Sequence, residues 1–169
     1  MLVACSKDEK TVTEERFRSL LTADDILGLV DEDVTLETMF NDIKKAAADV
    51  QPSQLASVDR AYALIFNTED GSRGLTFTLT DFDSKDAARK KYEQIKAATG
   101  PPSFIDMSPV IGDASANLTR NDRGFGSIVM FVTGDKNISL HTTLGPPVEP
   151  LIGLDDLEGL ARMVGERLR

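Results

Sequence analysis

A single cysteine leaves this chain without an internal disulfide, so packing alone must hold its fold. Tryptophan is absent, and the one histidine, His141, has no second histidine with which to share a metal. No apolar run reaches the roughly 18 residues that a membrane-spanning helix needs. There is no Walker loop, no G-x-G-x-x-G after a strand and no G-x-S-x-G elbow, so nucleotide use and serine hydrolysis lack support and no cofactor is expected. Basic charge is scarce: 19 Lys and Arg stand against 28 Asp and Glu, a net charge of -9. Without a Lys/Arg-rich tract to neutralise a row of phosphates, nucleic acid is not an expected partner. The same excess opposes attraction to anionic lipid, so any membrane association requires an anchor.

What is present fits one globular domain. At 169 residues, 41% apolar and 28% charged, the chain can bury a real core without staples. Residues 1–12 read as a separate polar lead-in and 13–169 as the folded unit. The lead-in carries the most specific motif. Leu2-Val3-Ala4-Cys5 resembles the lipobox of bacterial envelope lipoproteins, and the polar Ser6-Lys7-Asp8-Glu9-Lys10-Thr11 behind it suits a flexible tether. The resemblance implies a signal peptide, lipid attachment at Cys5 and an extracytoplasmic, membrane-anchored domain, each buried methylene of the anchor adding ~0.8 kcal/mol. Only Met1 precedes the motif here, so this reading expects a start further upstream; the alternative is a cytosolic adaptor with one thiol near its terminus.

Periodicity predicts the elements. Thr13 to Val30 shows helical signs, with Thr22 as a cap, Asp25 three residues on, and Leu21 and Ile26 as the staple across it. After Asp31-Glu32-Asp33, Thr35 would cap a second helix in which Leu36, Met39, Phe40, Ile43 and Ala47 recur at helical spacing. Tyr62 to Phe66 reads as a buried strand. Asp70-Gly71 reverses the chain, and Leu75, Phe77 and Leu79 then alternate with Thr76, Thr78 and Thr80. Asp83 is the expected cap of a helix aligning Ala88, Tyr92, Ile95 and Thr99, stopped by Gly100-Pro101-Pro102. A second hairpin runs from Ile128 to Val132, turns at Gly134-Asp135, and returns with Ile138 and Leu140 alternating against Ser139, His141 and Thr143. The last helix is expected to open at Asp155 with Glu158 as its box partner and to bury Leu157, Leu160, Val164 and Leu168. The predicted class is α+β: an antiparallel sheet built from two hairpins, with helices packed mainly on one face.

Three segments, Leu20-Leu21-Thr22-Ala23-Asp24-Asp25, Ile111-Gly112-Asp113-Ala114-Ser115 and Leu160-Ala161-Arg162-Met163-Val164, look like the extracytoplasmic domains of envelope lipoproteins. They are similar to the sensor domains of PknH-type kinases and, more loosely, to PsbP-like domains. The resemblance implies a non-catalytic role, binding a ligand or protein partner outside the cytoplasm. PknH-type domains carry paired cysteines and this chain does not, so no binding residue is carried over.

Two features carry candidate chemistry. Threonines 76, 78 and 80 with Ser139, His141 and Thr143 would form one hydroxyl-rich face if the hairpins are neighbours, a candidate binding face for a polar ligand; the same pattern also describes a solvated strand face. His141 with nearby acids would serve a small α+β enzyme, the alternative to a binding role. Asp31-Glu32-Asp33 lacks the glycine and terminal glutamate of a calcium loop, so no metal is expected there.

Overall fold

The computed structural model describes residues 11–30, 33–48, 55–119, 125–144 and 149–169. Helices α1 (Glu14–Leu20) and α2 (Ala23–Leu27) open the chain, followed by strand β1 (Leu36–Asp42) and the short helix α3 (Ile43–Ala47). Next come β2 (Val58–Thr68), β3 (Arg73–Phe82) and helix α4 (Lys85–Ala98). Strands β4 (Ile105–Asp106), β5 (Ala114–Thr119), β6 (Phe125–Thr133) and β7 (Lys136–Leu144) lead to the closing helix α5 (Leu154–Arg167). Among the described residues the strands form one antiparallel sheet of seven, in the order β1-β2-β3-β7-β6-β5-β4.

Both hairpins expected from the alternation are present, and their turns show why. Gly71 and Gly134 take the left-handed backbone conformation that tight reversals need, at φ 68 and 57. The carboxylate of Asp70 accepts from the Ser72 amide and the Thr68 hydroxyl, tying the first turn closed. Pairing of β3 with β7 then sets the hairpins side by side, with Thr76 opposite His141 and Thr78 opposite Ser139.

The sheet separates two apolar layers. On one face Leu64, Phe66, Leu75, Phe77, Phe131 and Leu140 pack against α1, α2 and α5, with the Phe17 ring stacked 4.7 Å from that of Phe77. Each such side chain contributes about 1.5–3 kcal/mol on burial. Helix α5 inserts Leu157, Leu160, Ala161 and Val164 here. On the other face lies a smaller cluster of Val58, Ala61, Phe82, Met130 and Val132, closed by Ala88 and Tyr92 of α4.

Several expectations need correction. The sheet extends beyond two hairpins, because β1, β4 and β5 flank them. Helices cover both faces, since α4 lies over the threonine side instead of joining α1, α2 and α5. Residues Leu36–Asp42 form an edge strand and not a helix. Leu36 and Phe40 satisfy an i, i+4 and an alternate-residue pattern equally, and tertiary contacts decide: Phe40 joins Phe17 and Tyr62 in an aromatic cluster beneath the Arg18 guanidinium. Only Ile43–Ala47 of the expected helix is helical, capped by Asp42 through the Lys45 amide. Ser84, not Asp83, caps α4. Gly153 starts α5 without a side-chain cap, and Glu158 instead accepts from the Asn117 amide group at 2.6 Å. The Thr22–Asp25 capping box is present as expected, and Leu21 and Ile26 are both fully buried.

Candidate functional site

Between the hydroxyl-bearing face of the sheet and α4 lies a cavity of about 990 Å³. That is the upper end of the ~300–1,000 Å³ range of small-molecule sites. Its floor follows from strand periodicity. Side chains alternate across β3 and β7, so the residues that bury Leu75, Phe77, Leu79 and Leu140 on one face turn Thr78, Thr80, Ser139 and His141 to the other. From β6 and β5 the same rule supplies Ile128, Met130 and Leu118. Phe82, Leu55 and Phe104 close the sides, and Ala87, Tyr92 and Ile95 of α4 form the roof. The exposed lining residues, Ile43, Lys90, Lys91, Gln94 and Ile95, belong to α3 and α4, so the opening lies between those two helices.

The structure brings four of the six predicted face residues into this lining, Thr78, Thr80, Ser139 and His141. The Thr78 and Ser139 hydroxyls share a hydrogen bond of 2.6 Å across the strand pair. Thr76 and Thr143 lie further along the same two strands, opposite His141 and Gly74 respectively, and do not line the cavity. Cys5 and the pair Asp31-Glu32 lie outside the described residues.

The electrostatics of the lining are unusual for an acidic chain. None of its described residues is an aspartate or glutamate, and the only formal charges among them are Lys90 and Lys91. Burial holds the His141 imidazole below its ordinary pKa, favouring the neutral ring at neutral pH. Burial likewise pushes the Tyr92 hydroxyl up to about 12, reinforced by the charges of Asp106 and Glu93. Tyr92 is only 2% exposed, yet its hydroxyl has no hydrogen-bond partner among the described residues. Both polar atoms of the Asn137 side chain are buried and unpartnered in the same way. A buried polar group left unpaired costs about 1–3 kcal/mol, so these two residues, one in the roof and one on the floor of the cavity, mark places where a polar atom from elsewhere would be stabilising.

Sequence reasoning missed much of this. Tyr92 is legible in the sequence only as an aligned position of α4, and Asn137 carries no binding signal there; they line one cavity because α4 packs over β7. Among the described residues, no group of three or more His, Cys, Asp or Glu side chains is placed to hold a metal. No helix among them is long and apolar enough to cross a membrane.

The three segments that carry the resemblance lie elsewhere. Thr22 and Asp25 form the cap of α2, Ile111 donates its amide to Ser115 Oγ at 2.9 Å in the turn before β5, and Leu160, Ala161 and Val164 form the buried face of α5. None of them lines the cavity. Their Leu20, Leu21, Ile111, Leu160, Ala161 and Val164 belong to the core on the α5 side.

No family model matches the chain, and no curated protein matches it in sequence. Among solved structures, the chain is similar to the extracellular domain of PknH from Mycobacterium tuberculosis. The TM-score is 0.56 at 11% identity, over 93% of this chain and 96% of that one. At that identity the likeness is one of fold, an antiparallel sheet flanked by helices.

Proposed function

We propose that this chain is a non-catalytic ligand-binding domain of the bacterial cell envelope, carried on a lipid attached at Cys5. The observation that carries the binding role is the cavity between α4 and the hydroxyl face, with its unpartnered Tyr92 and Asn137 groups. The described lining offers His141 no carboxylate with which to form an acid–base pair, which supports recognition over turnover. The fold shared with an extracellular domain supports an extracytoplasmic setting, and the Leu2-Val3-Ala4-Cys5 motif supports the anchor.

Filling the cavity tests the binding role. Thr80→Trp places an aromatic ring, well tolerated in strands, on the floor at a side chain with no described hydrogen bond to lose. Native mass spectrometry of protein isolated from its host should find a retained small molecule on the wild type and none on Thr80→Trp; equal spectra from two folded proteins would end the proposal. Labelling with an alkyne fatty acid in the native host, with the whole upstream reading frame present, tests the anchor. Absence of label on Cys5 would remove it.

A further inference from the structure

The cavity's charge and shape narrow the class of ligand. Helix α4 carries Lys85, Arg89, Lys90, Lys91 and Lys96 against Asp86 and Glu93, a cationic helix in a chain of net charge -9. Two of these cations are already engaged, Arg89 with Glu93 and Lys96 with Asp106. Lys90 and Lys91 differ. Both are exposed, both line the opening, and neither forms an ion pair or hydrogen bond with any described residue. Beside them stand Ile43 and Ile95, 36% and 39% exposed, large apolar side chains flanking the same opening. Further in, Ile128, Met130, Leu118 and Phe104 present hydrocarbon, and one hydrogen bond joins the hydroxyls of Thr78 and Ser139.

We infer that the cavity takes an anionic amphiphile, its hydrocarbon inserted between Ile43 and Ile95 toward Ile128 and Met130, its headgroup held at the opening by Lys90 and Lys91. This rests on the binding role proposed above and adds the chemistry of the ligand. An apolar portal bounded by unpaired ammonium groups suits a molecule with that polarity along its length. The volume has room for hydrocarbon of that kind: at the ~30 Å³ share of a water-sized group it holds roughly thirty such groups. Tyr92 and Asn137, buried in the lining without partners among the described residues, offer polar atoms to a chain bearing a hydroxyl or keto group.

The test uses cis-parinaric acid, whose fluorescence rises in apolar surroundings, and its methyl ester as the uncharged counterpart. The wild type should bind the acid saturably and at least tenfold more tightly than the ester, and added salt should weaken the acid alone. Lys90→Glu/Lys91→Glu should weaken the acid at least tenfold and leave the ester unchanged, whereas Lys85→Glu, away from the lining, should affect neither. Should the reversal variant fold poorly, Lys90→Gln/Lys91→Gln replaces it, with the same ranking expected. Equal binding of acid and ester, unaffected by the lysine substitutions, would overturn the anionic headgroup and leave the binding role standing. Binding of neither probe to folded wild-type protein would overturn the amphiphile and count against the cavity as a binding site for apolar chains.

Discussion

Arg167, at the end of the last helix, grips Asp25 in the first turn of the second with two hydrogen bonds of 2.7 and 2.9 Å. The same guanidinium donates to the Leu20 carbonyl at 3.0 Å, so one side chain closes α5 onto both α1 and α2. Asp25 in turn accepts from the Thr22 amide and hydroxyl, which makes the capping box and the ion pair a single network. This network pins the two ends of the described chain on the face away from the cavity.

Arg167 and the Thr22 cap hold the Asp25 carboxyl well below its ordinary value, at about 2. A carboxylate with a depressed folded pKa stabilises fully above its unfolded value of 3.8 and loses that contribution as pH falls toward 2. Asp25→Asn should therefore cost about 1–2 kcal/mol at pH 7, Arg167 being partly exposed and the pair screened accordingly. Urea unfolding of wild type and variant should converge as pH approaches 2. A gap that stayed constant over that range would show that the network is not electrostatic.

A second ion pair joins β3 to β7. Asp81 and Lys136 face each other across β3 and β7 with side chains 6% and 10% exposed. Burial raises the Asp81 pKa, and the Lys136 charge opposes that rise. Lys136→Met should cost about 3–5 kcal/mol by stranding a buried carboxylate, while the double change Asp81→Leu/Lys136→Met should recover most of it. Chemical denaturation of the two variants and of Asp81→Leu completes the cycle.

Tyr92 gives a prediction of opposite sign. Its buried hydroxyl has no described partner, so Tyr92→Phe removes an unpaired polar atom and keeps the ring. The unliganded protein should be unchanged or up to ~1 kcal/mol more stable, the reverse of a typical core substitution. The wild type has two tyrosines, Tyr62 and Tyr92, and absorbance at 295 nm should show one titrating near 12 and vanishing in the variant.

His141 links the cavity to pH. Desolvation lowers its folded pKa below 6.5, so protons bind the unfolded chain first as the solution is acidified. The wild type should lose stability as pH falls below about 6.5, and His141→Gln should flatten that slope. Imidazole resonances titrating at or above 6.5 would refute the burial on which this rests.

How far the sequence foretold this arrangement depended on whether a pattern had one structural solution. Leu75, Phe77 and Leu79 between threonines admit only a strand with two unlike faces, so both the hairpin and its hydroxyl face were legible. Leu36 and Phe40 admit two solutions, and the choice came from Phe17 and Tyr62, partners distant in sequence. Ala114-Ser115-Ala116-Asn117 lacks β-branched and aromatic residues, so β5 left no local trace and exists because β6 offers it an edge. The cavity was the least legible. Its floor was identified as a candidate face, but its roof required knowing that α4 crosses the sheet on the side opposite α5, a matter of packing that no local pattern encodes.

The space beneath α4 is the proposed ligand site. Methyl NMR spectra recorded while adding dodecanoic acid, and separately dodecanol, address it directly. Saturable shifts are expected at Ile128, Met130 and Leu118 with one or both probes, while Leu160 and Val164 in the opposite layer stay still. Shifts confined to the α5 layer, or none at any methyl with either probe, would contradict it.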